Sequence, residues 1–495
     1  MVDANTPVIV GVGQVTNKRH RLIDPMSLME EAARLAQEDA GADALSRVRS
    51  VQVVNVLSGR YKAPATALAQ RLGLPDGERY TTAVGGSTPQ WLVCEASERI
   101  ARGEIDGVLI VGAEAVDSGR RARREAATMH YGDAHDVTDD VLGDATLVPM
   151  APEELSAQVI VPIQIYPMFE QALAARDGRT LDEQRVWLGE LMAPFTKVAA
   201  SYPDLAWFPN ERTPSDLSTV SEDNRMVGEP YAKNLNAIIQ VDMGAALIVL
   251  SASAAEAAGV PRDRWIFPWA GAKADDALWA ARRCSYTNSE AVAVAARATF
   301  DAAGTGVDDV ALFDLYSCFP CAVQMGAEAI GLSLHDPRGL TVTGGLAFFG
   351  GPGNNYVTHS IATMAKRLRG TEDIGMTTGV SYYMSKHAVG LYSAKPAPNG
   401  WRYANTKDAQ KKLDAQLPEI ASEADGEALV EAFTVEHDRE SGPVRAPAYA
   451  TLPDGRRVVA TPGDPSMPKE LSGRSLVGEK VRVRTGDGGV VYELI

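Results

Sequence analysis

The chain has 495 residues, 45% hydrophobic and 23% charged, an ordinary globular composition with no sign of disorder, collagen or coiled coil. At this length two to four folding units are expected, with a core large enough to need neither disulfides nor metal. The formal net charge of −16 argues against whole-surface binding to nucleic acid, leaving room only for a local basic patch on one phosphorylated ligand, and the 4 Cys argue against a secreted disulfide framework. No basic stretch precedes the first apolar run, and no apolar run approaches the ~18–20 residues of a membrane span, so a soluble cytoplasmic protein is expected.

In chain order, Thr6–Val15 is apolar and β-branched and predicts a buried strand; Asp24–Ala40 predicts a helix with Pro25 in its first turn. Val48–Val56 is a second strand, Ala63–Leu72 a short helix and Tyr80–Val84 a third strand, closed by Gly85-Gly86. Ser87–Arg102 follows as a helix and Asp106–Glu114 as a buried strand. This alternation means βαβ units and a mostly parallel sheet. Ala115–Tyr231 is richer in Pro and polar residues, with helices near Tyr166–Arg176 and Leu181–Tyr202, and reads as a loop domain inserted before the strand Gly244–Leu250.

The same order returns with a helix at Asn288–Ala303, a strand at Val307–Tyr316, a helix at Ser317–Ile330 and a helix at Asn354–Arg369. Strands near Ile374–Val380 and Ala388–Tyr392 complete it. Gly-Gly–helix–Gly–strand thus occurs twice, from Val84 and from Phe349, which points to two halves of one architecture. Beyond the turn-rich Ala394–Trp401 and a charged helix at Thr406–Gln416, strands alternate with turns. Asp454-Gly455 and Asp487-Gly488-Gly489 are hairpin signals, so a small all-β unit, a partly open barrel, is expected. The expected organisation is 1–255 with an insertion at about 115–235, then 256–395, a linker 396–425 and a β-rich domain 426–495.

Several residues invite a chemical reading. Cys318-Phe-Pro-Cys321 has redox or half-zinc spacing, but no second pair exists to complete a zinc site, and no metal is expected. Gly11-Val-Gly13 lacks the third Gly of a dinucleotide loop and reads as a packed strand end. His387 is either an acid/base group near neutral pH or a surface residue beside Lys386. His359 falls on the polar side of its helix, which suggests a solvated or capping role. Arg120, Arg121, Arg123 and Arg124 are either forked donors for phosphate or a solvated helix end.

Gly103–Glu114, Met243–Leu250, Cys318-Phe319 and Gly345–Pro352, in this order, resemble blocks of the thiolase superfamily, especially sterol-carrier-type thiolases, over roughly Pro7 to Tyr392. The resemblance implies an α/β fold of duplicated αβαβα layers with an inserted loop domain, here followed by a small C-terminal β-rich, OB-like domain. It also implies departures. The position of the nucleophilic Cys, at the start of the helix after the third strand, corresponds to Gly85; Cys94 lies more than two turns further on and reads as a buried small residue. Gly351 stands for the His of Gly-His-Pro, and Tyr316 for the His of His-Asp-Cys-Phe. The second catalytic Cys has no counterpart near Gly379–Ser385. No nucleophile means no acyl-enzyme, and a lost oxyanion donor costs roughly 10²–10³ in rate.

The expected ligand is therefore coenzyme A or an acyl-CoA, with no covalently bound cofactor and little or no ordinary thiolase activity. The family's loop domain binds the nucleotide end, which makes the four arginines candidate phosphate contacts. A first alternative is an acyl-CoA retro-aldol carbon–carbon lyase acting on lipid or sterol-derived thioesters, with His387, Tyr316 and Tyr383 as candidate acid/base groups; Tyr356 and Tyr382 lie on the same pocket-facing segments. A second is a non-catalytic interaction protein that docks a partner through the C-terminal domain. Thiolases pair through the strand beside the nucleophile helix, and both a dimer and a monomer stay open here.

Overall fold

The computed structural model describes residues 2–129 and 137–495; residues 130–136 of the predicted insertion lie outside the described residues. The first strand, β1 (Pro7–Thr16), carries α1 (Pro25–Ala40) directly on its face. Asp24 caps this helix by accepting from Ser27 N at 3.1 Å. A Cβ on Gly13 would lie 1.9 Å from Ala32 O, so the glycines of this strand serve the close approach of α1.

The chain continues through β2 (Ser50–Val53), α2 (Pro64–Leu72), β3 (Glu78–Thr82), α3 (Thr88–Ala101), β4 (Gly107–Ala115), α4 (Val116–Arg124) and β5 (Asp140–Leu142). The insertion, which begins at α4, goes on with α5 (Pro152–Ser156), α6 (Pro162–Arg176), α7 (Leu181–Ala200), α8 (Pro214–Ser218), β6 (Met226–Gly228) and β7 (Tyr231–Ala232). Then β8 (Asp242–Ser251) returns to the sheet, giving the order β1-β8-β4-β2-β3-β5. β4, β2, β3 and β5 run parallel, but β8 is antiparallel to both its neighbours. The sheet is thus more mixed than strand–helix alternation predicts, because the long insertion brings β8 back reversed.

The second half holds α9 (Ala252–Ala257), β9 (Phe267–Asp275), α10 (Glu290–Ala303), β10 (Val310–Asp314), α11 (Pro320–Ile330), α12 (Tyr356–Leu368), β11 (Ile374–Ser381), β12 (Lys386–Ser393) and β13 (Arg402–Tyr403). Its sheet has the order β10-β11-β12-β9-β13. The sequence pattern predicts no strand at β9. That segment carries Pro268, and the register with β12 shifts there, from Leu391 opposite Ala270 to Tyr392 opposite Pro268. A bulge at this point accommodates the residue that has no N–H.

α3 and α12 touch strands of both sheets and lie between them. This corrects the expectation for His359. α12 meets solvent only in its last turn, at Lys366 and Arg367, and His359 is 0% exposed, with Nδ1 2.9 Å from Gln14 Oε1. Gln14 in turn donates to Thr363 Oγ1 at 3.2 Å.

After α13 (Lys407–Asp414), the strands β14 (Asp425–Phe433), β15 (Glu436–Asp438), β16 (Gly442–Arg445), β17 (Ala448–Thr451), β18 (Arg457–Pro462), β19 (Lys480–Gly486) and β20 (Gly489–Leu494) form the C-terminal unit. Five of them close into a barrel in the order β14-β17-β18-β20-β19. The parallel pairing of β18 with β20 completes a circle that the sequence predicts as partly open. β15 and β16 instead extend β6 and β7 into a four-stranded sheet, which ties this unit to the insertion. Beside that seam, buried Glu229 accepts from His437 Nε2 at 2.8 Å, Ser472 Oγ at 2.7 Å and Gly473 N at 2.9 Å. Among the described residues no helix is long and apolar enough to cross a membrane.

Burial pushes the His359 imidazole down to about 3. The unfolded chain takes up this proton at about 6.5, so the native state loses stability as pH falls from there toward about 3. His359→Asn should lower the slope of unfolding free energy against pH, between pH 6 and 4, by about 1.4 kcal/mol per pH unit. Urea titrations check this, and an unchanged slope would mean that native His359 is charged.

Candidate functional site

The link from β3 into α3 brings several chain segments to one helix end. Gly85 N donates to Asn354 Oδ1 at 2.9 Å, and Ser87 N donates to Ser381 Oγ at 3.0 Å. The Ser87 and Ser381 hydroxyls are 2.6 Å apart. A Cβ on Gly85 would fall 2.6 Å from Ser381 Oγ, and one on Gly86 would fall 2.5 Å from the Tyr316 hydroxyl. The glycine pair thus lets Ser381 and Tyr316 press against the start of α3. Free N–H groups and the helix dipole favour an acceptor oxygen at such a place, and the Ser381 hydroxyl supplies it.

Beside this helix end lies a cavity of about 120 Å³, lined among others by Ser87, Trp91, Lys273, Ser381, Lys386 and His387. Lys273 Nζ sits 5.2 Å from the centre of the Trp91 ring. His387 is 2% exposed, so the surface reading of this residue does not hold. Its Nε2 is 2.9 Å from Met384 O and 3.4 Å from both Asp276 Oδ2 and Ser289 Oγ. A carbonyl only accepts, so Nε2 carries the hydrogen. In the neutral form of the ring Nδ1 is then the lone-pair nitrogen, and it is buried and without a hydrogen-bond partner among the described residues.

Asp276 fixes the far side of the imidazole. It accepts from Ser289 Oγ at 2.5 Å and from Arg283 Nη2 at 3.3 Å. Burial pushes its carboxyl up, but Arg283, His387 and Ser289 outweigh this and hold it at about 2. The turn between β11 and β12 is strained, with Tyr382 at φ 56° and Met384 at φ 57°. Tyr166 holds it by donating to Tyr382 O at 2.8 Å and accepting from Met384 N at 3.3 Å.

The other predicted site residues are placed as follows. Tyr316 is buried behind the start of α3, and burial raises its phenol well above the usual value. Tyr383 donates to Ile160 O at 2.9 Å, and burial, then Glu154, push its phenol up to about 12. Of His387, Tyr316 and Tyr383, only His387 lines the cavity, together with Tyr382; Tyr356 is buried with its hydroxyl 3.0 Å from Asp314. Gly351 N donates to Ile238 O at 2.9 Å.

None of the four arginines of α4 lines the cavity. Arg120, Arg123 and Arg124 are exposed, whereas Arg121 pairs with Asp117 at 3.0 Å and donates to Arg21 O at 2.7 Å. Cys94 is buried inside α3, where burial pushes its thiol up to about 12. Cys318 and Cys321 are free and buried, and burial raises both thiols, which leaves little thiolate for redox exchange. Among the described residues no group of three His, Cys, Asp or Glu side chains is arranged to hold a metal.

Sequence reasoning missed Lys273, Asp276, Arg283 and Ser289. Lys273 lies on β9, the strand it did not predict, and the other three follow it in the chain. Ser289 carried one legible signal, a hydroxyl just before a helical run; it caps α10 at Val292 N at 3.3 Å.

Two halves of one architecture, with α3 and α12 between their sheets and an insertion before the strand that closes the first half, define a thiolase fold. A solved structure of an acetyl-CoA acetyltransferase from Syntrophomonas wolfei shares it, with TM-score 0.56 and 15% identity over 79% of this chain and 100% of that one. So does an Ltp2-ChsH2(DUF35) aldolase, with TM-score 0.60 and 17% identity over 80% of this chain and 100% of that one. A monomeric SCP2-thiolase like protein type 1 from Mycobacterium smegmatis is 33% identical over 100% of both chains, with TM-score 0.86. The family model described as the thiolase-like protein type 1 additional C-terminal domain matches residues 408–488. The chain belongs to the thiolase-like protein type 1 family. No curated protein is significantly similar to it in sequence.

Because the Asp276 carboxyl is held at about 2, its stabilising effect is complete above about 4 and is lost as pH falls through about 2. Asp276→Asn is expected to cost about 2 kcal/mol at pH 7, with the difference from wild type shrinking between pH 4 and 2. Chemical denaturation across that range measures it.

Proposed function

We propose that the chain binds CoA or an acyl-CoA with the acyl end in the cavity beside α3, and that it does not run the acyl-enzyme reaction of a thiolase. The observation that supports this reading is the closure of the start of α3. The resemblance matches the catalytic Cys to Gly85, and even a Cβ on Gly85 would collide with Ser381 Oγ. Ser381 also takes the Ser87 N–H, the donor that would otherwise stabilise a thiolate.

The cavity volume of about 120 Å³ sets the scale of the ligand. Sites that engulf a whole small molecule run to roughly 300–1,000 Å³, so only the reacting end of a thioester is enclosed. The remainder lies outside, and Arg120, Arg123 and Arg124, exposed and unpaired among the described residues, are the candidate forked donors for its phosphates.

One observation supports a second reading, a carbon–carbon lyase of the retro-aldol class. His387 lines the cavity, its Nδ1 is buried without a partner among the described residues, and Met384 O sets its tautomer in the neutral ring. Such a base takes the proton of a β-hydroxyl as the carbon–carbon bond breaks, leaving the enolate of the thioester; no covalent nucleophile takes part. The Ltp2-ChsH2(DUF35) aldolase has the same fold.

Calorimetric titration of CoA tests the main reading. Saturable binding is expected, weakened about tenfold, roughly 1.4 kcal/mol, when Arg120, Arg123 and Arg124 are replaced together by Gln. Acetoacetyl-CoA should not be cleaved by the wild-type protein, and Gly85→Cys should lower stability without conferring thiolysis. Absence of binding, or robust thiolysis by the wild type, overturns the proposal.

A further inference from the structure

The guanidinium of Arg283 is 2% exposed, and a buried cation needs its donors met. Nε donates to Ser285 O at 3.1 Å, Nη1 to Met384 O at 2.6 Å, and Nη2 to Asn288 O at 2.9 Å and Asp276 Oδ2 at 3.3 Å. Two of these acceptors also face His387: its Nε2 is 2.9 Å from Met384 O and 3.4 Å from Asp276 Oδ2. Arg283 therefore grips both groups that set the tautomer and direction of the imidazole, and it bridges the strained turn at Met384 to the carboxylate.

The segment that carries Arg283 is held from the other side by the C-terminal barrel. The backbone carbonyl of Arg283 accepts from Nη2 of Arg457, a buried residue of β18 that pairs with Glu431 of β14 at 2.6 Å. The Arg457 guanidinium lies 4.9 Å from the centre of the Tyr286 ring, and Tyr286 stacks on Tyr449 of β17 at 5.4 Å. Tyr449 donates to Glu154 Oε1 at 3.0 Å, and the same oxygen accepts Ala281 N at 2.8 Å. Residues 281–286 are thus clamped between the barrel and the turn that precedes His387.

We infer that Arg283 is a positioning residue for His387, and that the additional domain, through Arg457 and Tyr449, holds Arg283 in place and so belongs to the scaffold of the cavity. Its relevance to catalysis rests on the reading of His387 as the group that acts there. Its geometry can be read in the ligand-free protein.

The test follows the imidazole nitrogens of the full-length protein, labelled with ¹⁵N-histidine, with His387→Gln assigning the signals among the 7 His. Wild type should show His387 with a protonated Nε2 and a bare Nδ1. Arg283→Lys keeps the charge but loses the fork, and should bring in the Nδ1-protonated tautomer. Arg457→Gln, remote in the barrel, should shift the same two signals in the same direction by a smaller amount, with partial return in Arg457→Lys. A merely structural role would lower the melting temperature and leave the tautomer alone.

If folded Arg283→Lys and Arg457→Gln both keep the wild-type His387 signals, the inference is overturned. If only Arg283→Lys moves them, the part assigned to the barrel is overturned. Should Arg283→Lys fail to fold, Arg457→Gln and Tyr449→Phe decide the matter by the same signals. Failure of the wild type to bind CoA leaves this result intact, so the two proposals fall separately.

Discussion

The N-terminus of α3 is enclosed between two sheets, and a buried helix end needs protein groups for its free N–H donors. Ser381, from the end of β11, answers Ser87 N; Asn354, from the entry to α12, answers Gly85 N. Gly85 and Gly86 follow from this, since side chains there would exclude the groups that approach. The turn after Ser381 inherits the constraint. Its backbone goes through two left-handed residues to bring β12 back beside β11, and His387 sits just past it, facing the cavity at the same helix end.

The start of α3, where the proposed reading sets the reactive sulfur of a thiolase, is closed by neutral hydrogen bonds. That exchange has a chemical direction. A serine hydroxyl at a helix N-terminus satisfies donors without becoming an anion, so the electrostatic advantage of the site is used for structure. The polar groups left at the cavity are the imidazole, held by a carbonyl and a carboxylate, and the two lysines around it.

The duplicated architecture was legible because strand–helix alternation and the repeated Gly-Gly–helix–Gly–strand are local patterns. The closed barrel was nearly so, its hairpins marked by Asp454-Gly455 and Asp487-Gly488-Gly489. His359 was misread for a physical reason. An amphipathic pattern assigns polar residues to water, but α12 lies between two sheets, and its polar side meets Gln14 of β1 instead of solvent. β9 escaped because Pro268 and a bulge break the alternation that announces a strand. With it went the cluster of Asp276, Arg283 and Ser289, whose members share no spacing that a sequence displays. His387 was legible as a candidate, but its partners were not, because they meet it only through tertiary folding.

The insertion contributes one more element, β5. Its three residues pair in parallel with the outer edge of β3, Tyr80 opposite Asp140 and Thr82 opposite Leu142. An open edge strand offers a row of free backbone donors and acceptors to any other extended chain, and proteins blunt such edges with short, charged or covering strands. Here the cover comes from within the chain, and it ends the sheet with a strand too short to template another. Cross-β aggregation seeded on that flank has to peel off β5 first, an internal guard against misassembly.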